Sequence, residues 1–271
     1  MSLSISRYLD AGYPVIYLRT HEHNRAVDEI IAELKATGIA SSISIMVWKS
    51  TTGLYNLSAQ NPKEEQVADS LLDSLAWIAE GKDGNLEPDG DRLYIMMNPR
   101  EFLKNPVVQQ QLKDTAYAIR AVSSYIIMVG CGMDLPEEIE DVVTMIDMEL
   151  PDKEQIKTIF SSVINAYKSA MEKFPSEEEI ETAAENALGL SAFKAENAIS
   201  LSIVSSKGID IPLIRKEKQL AVKQTGVLEY IHHTETMESL GGFDVLKDHV
   251  LKRRRYFSAH KEAIEFGLRP P

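Results

Sequence analysis

A single cysteine, Cys131, stands in this chain of 271 residues, so no disulfide can close within it, and the usage fits a reducing compartment. The first fifteen residues hold no apolar core of signal-peptide length. No apolar run anywhere approaches the ~20 residues that a membrane span needs. Basic residues are outnumbered: 29 Lys and Arg face 41 Asp and Glu, a formal charge of −12, which argues against a general affinity for nucleic acid. The chain also contains no G-x-x-x-x-G-K-S/T, the loop whose backbone amides and lysine cradle phosphates. It has no G-x-S-x-G elbow and no defensible Ser-His-Asp ordering either. With 44% hydrophobic residues, the expectation is a soluble, acidic, cytoplasmic protein with room for one large or two small domains.

Residues 1–150 alternate short apolar runs with helical patterns. Tyr13–Arg19 reads as a strand, being short and rich in Val, Ile and Tyr. A helix follows from Glu22 to Thr37, where Val27, Ile30, Ile31 and Leu34 repeat at helical spacing and Gly38 closes the segment. Ile43–Lys49 is the next strand. Residues 64–80 are predicted as a helix, with Val67, Leu71, Leu72, Leu75 and Ile78 on one side. Leu93–Met97, Pro106–Val122, Tyr125–Gly130 and Val142–Asp147 continue the alternation. Strands separated by helices predict a doubly wound α/β domain, its sheet mostly parallel and covered on both faces.

The pattern changes at Leu150-Pro151-Asp152. From 151 to about 226 the chain reads as helices alone. Asp152 with Gln155, and Ser176 with Glu179, have the spacing of capping boxes. Ile156, Ile159, Phe160, Val163, Ile164 and Tyr167 form one apolar stripe. Ser191 opens a third helix that ends near Gly208, and Pro212 suits the first turn of a fourth. Residues 227–242 are expected to be a linker, and 243–271 a further helical segment.

Several runs together resemble the AAA ATPases encoded by cyanobacteria and algal plastid genomes. They are Met133-Asp134-Leu135-Pro136-Glu137-Glu138-Ile139-Glu140, then Met145-Ile146-Asp147 and Leu150-Pro151-Asp152. Ala187-Leu188-Gly189-Leu190-Ser191 with Ala195-Glu196-Asn197-Ala198 belongs with them. So do Glu217-Lys218-Gln219 and Thr225-Gly226-Val227-Leu228-Glu229-Tyr230. The final stretch, Ser239-Leu240-Gly241-Gly242-Phe243-Asp244 to Phe266-Gly267-Leu268-Arg269-Pro270-Pro271, looks like the lead-in to an active AAA core. The resemblance implies a degenerate AAA-like domain of the P-loop NTPase fold with a helical lid. A second domain, which binds ATP and Mg²⁺, would then begin where this chain stops, making the chain a truncated one. In the first domain Asn98-Pro99 stands where the family carries acidic residues, and Thr20-His21-Glu22-His23 stands where a glycine-rich loop would be. Both halves of an ATP site are therefore expected to be missing from it.

The resemblance assigns Leu240, Gly241 and Gly242 to the adenine side of that second domain; a plain turn is the alternative, and the favoured one. The basic run ending in Arg253, Arg254 and Arg255 is expected at an interdomain or intersubunit contact rather than on nucleic acid. His21 and His23 read as a surface patch at a helix start, because two histidines two residues apart on a helix point about 200° apart. His232-His233 reads likewise. Asp83 to Asp91 mimics a calcium loop, but Pro88 replaces its glycine and Tyr94 its last glutamate. No metal is expected. Cys131, between two glycines, reads as a small half-buried residue in a tight turn.

The leading functional expectation is a catalytically inactive N-terminal regulatory and assembly half of an AAA ATPase. The whole protein would hydrolyse ATP to remodel a partner protein and would self-associate, as AAA proteins do in rings. The alternative is a self-standing protein–protein interaction module without nucleotide chemistry. A third option is a small-molecule enzyme using the crevice at the carboxyl ends of the strands.

Overall fold

The computed structural model describes residues 5–38, 43–81, 91–132, 135–171, 174–224 and 241–258, without the side chains of residues 170, 224 and 255–258. Residues 1–218 form one compact unit and residues 219–271 another.

The first unit is built on a six-stranded sheet: β1 (Val15–Arg19), β2 (Ser44–Lys49), β3 (Gly53–Asn56), β4 (Arg92–Met97), β5 (Tyr125–Gly130) and β6 (Val143–Asp147). The strand order is β3-β2-β4-β5-β1-β6, parallel throughout except for the β2–β3 hairpin. Alternate side chains along each strand point to opposite faces, so the sheet carries two cores. On one face Val15, Tyr17, Trp48, Tyr94, Met96, Ile126 and Met128 pack with Leu75, Leu112 and Ile119. The last three come from α3 (Leu71–Glu80) and α4 (Pro106–Arg120). On the other, Ile16, Leu18, Val47, Ile95, Ile127 and Val129 meet Ile5 and Leu9 of α1 (Ile5–Asp10) and Ile30 and Leu34 of α2 (His23–Ala36). The expected α/β class with helices on both faces is the one observed.

Two elements were not anticipated, α1 and β3, and one was misplaced. Instead of running from 64, the helix begins at Leu71, because Ser70 Oγ accepts the Asp73 amide and fixes the N-cap there. Residues 61–65 form a turn instead, and Ala68 then bridges to β3. Val67 N–H donates to Leu54 O, and Leu54 N–H donates to Ala68 O, both at 2.7 Å, which spends both backbone groups of Leu54 on the outer side of β3. Gly53 makes this approach possible: its φ is +67°, and a Cβ there would lie 2.3 Å from Ala68 O.

After β6 come α5 (Lys153–Ala166), α6 (Glu177–Ala187), α7 (Ala192–Ser206) and α8 (Ile211–Gln224). Both capping boxes form, Asp152 with Gln155 and Ser176 with Glu179. Phe160, Ile164, Ala183, Ala184, Ala198, Ile199 and Ile214 are buried in these helices. Lys153 Nζ sits between Glu181 (2.5 Å) and Glu185 (2.7 Å), joining α5 to α6; the Glu181 bond leads in holding its ammonium well above the ordinary lysine range. In the second unit, α9 (Asp244–Ser258) carries an exposed mixture of apolar and basic residues. None of the helices, among the described residues, is long and apolar enough to cross a membrane.

Replacing Gly53 by Ala should lower unfolding stability by about 1–3 kcal/mol, through the Cβ–carbonyl clash and the left-handed backbone. A urea unfolding curve showing no shift in midpoint would contradict this packing.

Candidate functional site

β1 and β5 lie side by side, yet the chain leaving β1 enters α2 on one face of the sheet, while that leaving β5 reaches Ile139 on the other. Such a divergence opens a crevice at the carboxyl ends of the strands, the usual ligand position of open α/β sheets. A cavity of about 780 Å³ occupies this place. Its walls include His21, Glu22 and His23 after β1, Lys49 at the end of β2, Asn98 after β4, and Phe193 and Lys194 at the start of α7.

The residues between β1 and α2 are held tightly. Thr20 N–H donates to Gly130 O at 2.7 Å, and Glu22 N–H to Thr20 Oγ1 at 3.0 Å. Glu22 then turns its carboxylate inward, its side chain only 7% exposed. One oxygen accepts Arg25 at 2.8 Å, while the other accepts the Ala192 amide, the first of α7. Arg25 also binds Glu29 (2.7 Å) and the carbonyl of Glu149 (2.5 Å), and Gln155 Nε2 donates to Glu29 at 3.1 Å. One buried guanidinium and one buried carboxylate thereby join α2 of the sheet layer to the starts of α5 and α7. A carboxylate at a helix N-terminus is favourable because the helix dipole and its orphan amides attract negative charge.

Asn98 follows β4 with φ of +53° and donates its backbone N–H to Val129 O at 2.7 Å. It offers an amide where a carboxylate would be needed to hold a hard cation. Among the described residues no group of three His, Cys, Asp or Glu is placed to hold a metal.

At the end of β5, Tyr17 Oη donates to Cys131 O at 2.7 Å. The Tyr17 phenol is pushed up, first by burial and then by the charge at Cys131. Gly130 leaves the ring its room, since a Cβ there would lie 2.6 Å from Tyr17 Oη. Cys131 Sγ lies 3.1 Å from His21 Nδ1. His21 is thus not merely a surface residue at a helix start, and 110 residues of separation hid its partner from any spacing argument. His23 opens α2; its Nε2 is buried and lacks a hydrogen-bond partner. Burial and then the neighbouring His21 hold its imidazole below the ordinary histidine value. Arg19 and Asp147, paired in two hydrogen bonds at the ends of β1 and β6, close the far side of this edge. The Arg19 bond holds the Asp147 carboxyl below its usual range.

The other predicted site residues lie in the second unit. Gly241 and Gly242 precede α9; Gly242 has φ of +74°, and open space surrounds both. Leu240 falls outside the described residues, as do His232, His233 and the stretch 83–90 of the calcium-like loop. Arg253 and Arg254 are exposed on α9, where Arg253 Nε donates to His249 at 3.0 Å. Arg255 lies in the same helix without a described side chain. Sequence reasoning missed Glu22 and Arg25. Their i,i+3 spacing was visible, but so are many such surface pairs.

A family model for the N-terminal domain of SpoVK-like AAA ATPases matches residues 1–148, and one for the second domain of the same family matches 154–225. The AAA domain-containing protein ycf46 of Pyropia yezoensis is 28% identical over 267 residues, covering 97% of this chain and 51% of that protein. Its counterpart from Trieres chinensis is 29% identical, with 97% and 50% covered. The chain spans about half the length of the curated relatives it matches. Among solved structures, a RuvB variant from Thermotoga maritima aligns with 98% of this chain and 80% of its own, at 12% identity and a TM-score of 0.46.

Glu22→Ala should cost about 3 kcal/mol, because Arg25 and the Ala192 amide lose a buried acceptor; Glu22→Gln should cost less. Urea unfolding and faster hydrogen exchange at Ala192 would register the change, and unaltered exchange would dissociate Glu22 from α7. His23 gives a second expectation. Unfolded, its imidazole titrates near about 6.5, while the folded protein resists that proton. Its contribution to stability is therefore complete above that pH and is lost as the pH falls toward and then through the depressed folded value. A pH series of unfolding midpoints should be flatter in acid for His23→Gln than for the parent.

Proposed function

The chain belongs to the SpoVK-like AAA ATPase family and corresponds to the N-terminal portion, about half, of ycf46-like proteins. From that premise we propose that it is a regulatory and assembly half that holds no nucleotide in its own crevice. ATP with Mg²⁺, bound and hydrolysed elsewhere in the whole protein, would drive the remodelling of a partner protein.

The observation that carries this reading is Glu22. Phosphates need converging backbone amides and a cation at the turn after β1. In this chain that turn presents a carboxylate, and the nearby α7 amide is already engaged by it. Arg25, the cation in the first turn of α2, is already engaged by Glu22, Glu29 and Glu149 O. Asn98 at the end of β4 supplies no negative charge for a metal. The residues present do not fit a Mg²⁺-nucleotide, and this supports a scaffold rather than an engine.

The same network supports an assembly role. Active domains that close on a nucleotide need the sheet and helical layers to move against each other. Here these layers are joined through a desolvated ion pair, which favours one fixed arrangement that neighbouring copies can be built on. Gly241, Gly242 and Arg253 to Arg255 belong, in this reading, to the passage into the nucleotide-hydrolysing part and to its contacts.

Calorimetric titration of ATP and ADP into this chain with Mg²⁺ should give no binding heat; micromolar binding would overturn the reading of the crevice. In the intact protein, removal of residues 1–226 should change the sedimenting species while ATP still binds. An unchanged assembly would overturn the assembly role.

A further inference from the structure

Beside the crevice, in contact with His21 on its wall, lies one group that the scaffold reading does not use. Cys131 is the single thiol of the chain. It is half-buried, follows β5 at the carboxyl edge of the sheet, and has its own carbonyl fixed by Tyr17 Oη. Two features separate it from an isolated surface thiol. Its sulfur lies 3.1 Å from His21 Nδ1, within reach for proton transfer. That same His21 stands on the wall of the 780 Å³ cavity, so the pair borders a space that admits a small reagent as far as the imidazole.

We propose that Cys131, with His21 as its general base, is a covalent modification site for small electrophiles of the peroxide class. The thiolate, not the thiol, is the nucleophile, and an imidazole within hydrogen-bond reach can take the thiol proton as attack begins. Cys131 Sγ gives its proton to His21 Nδ1, and the thiolate attacks one oxygen of hydrogen peroxide. The S–O bond forms and the O–O bond breaks. The departing hydroxide takes the proton from the imidazolium and leaves as water. Sulfur is oxidised by two electrons to the sulfenic acid, and the peroxide is reduced by two. With no second cysteine in the chain, an external low-molecular-weight thiol must resolve this product. Its sulfur bonds to Cys131 Sγ as a second water is lost, leaving a mixed disulfide.

The proposal is independent of the nucleotide reading and is tested on the full chain. Iodoacetamide at pH 7, followed by mass spectrometry, should label Cys131 roughly ten times faster in the parent than in His21→Ala, with Cys131→Ser unlabelled. Hydrogen peroxide with dimedone should trap the sulfenic acid in the same order. Altered access alone would not be repaired by an added base, so recovery of His21→Ala labelling by free imidazole, at an unchanged unfolding midpoint, isolates the base. Should that variant not fold, the parent still decides the matter. Labelling at pH 7 faster than that of a free model thiol supports the proposal; labelling at or below the model rate overturns it. Equal labelling of parent and folded His21→Ala overturns it too.

Discussion

Burying a charge is tolerable only when it is paired and hydrogen-bonded, and the Arg25–Glu22 pair is where this chain meets that requirement. Neither residue could sit so deep alone. Because Glu22 needs the α7 amide and Arg25 needs the Glu149 carbonyl, the pair is satisfied only while α5 and α7 stay docked beside α2. The hydrophobic cores hold each layer together without fixing their mutual placement to this accuracy. A directional network of charge-assisted bonds does so, which is the kind of specificity that apolar contact lacks.

The crevice separates what topology sets from what side chains set. Topology makes the opening, because neighbouring strands feed opposite faces of the sheet. The residues at its mouth then decide what it accepts. After β1 the chain places a carboxylate that binds its own helix; after β4, an amide in a left-handed conformation; after β5, a thiol beside an imidazole. Each choice is local enough to leave the sheet intact.

Legibility in the sequence followed the range of the interactions. The parallel strands were visible because a strand buried on both faces reads as an unbroken apolar run, as in Tyr125–Gly130. The two capping boxes were visible because both partners lie three residues apart. The helix expected from residue 64 failed because Val67, apolar and in phase with Leu71, serves instead to cover β3, and only Ser70 marks the true start. The ties from Glu22 to Ala192 and from His21 to Cys131 span 170 and 110 residues, so no local pattern announced them.

The hairpin at β2–β3 ends the sheet in a particular way. An unprotected terminal strand offers a row of free amides and carbonyls on which a foreign strand can grow. Here Val67 and Ala68 already occupy the outward groups of Leu54, in a strand of only four residues. Extension of the sheet from this side is blocked by the chain itself. A second copy brought to this margin would meet Leu54 with its outward hydrogen-bonding groups already spent.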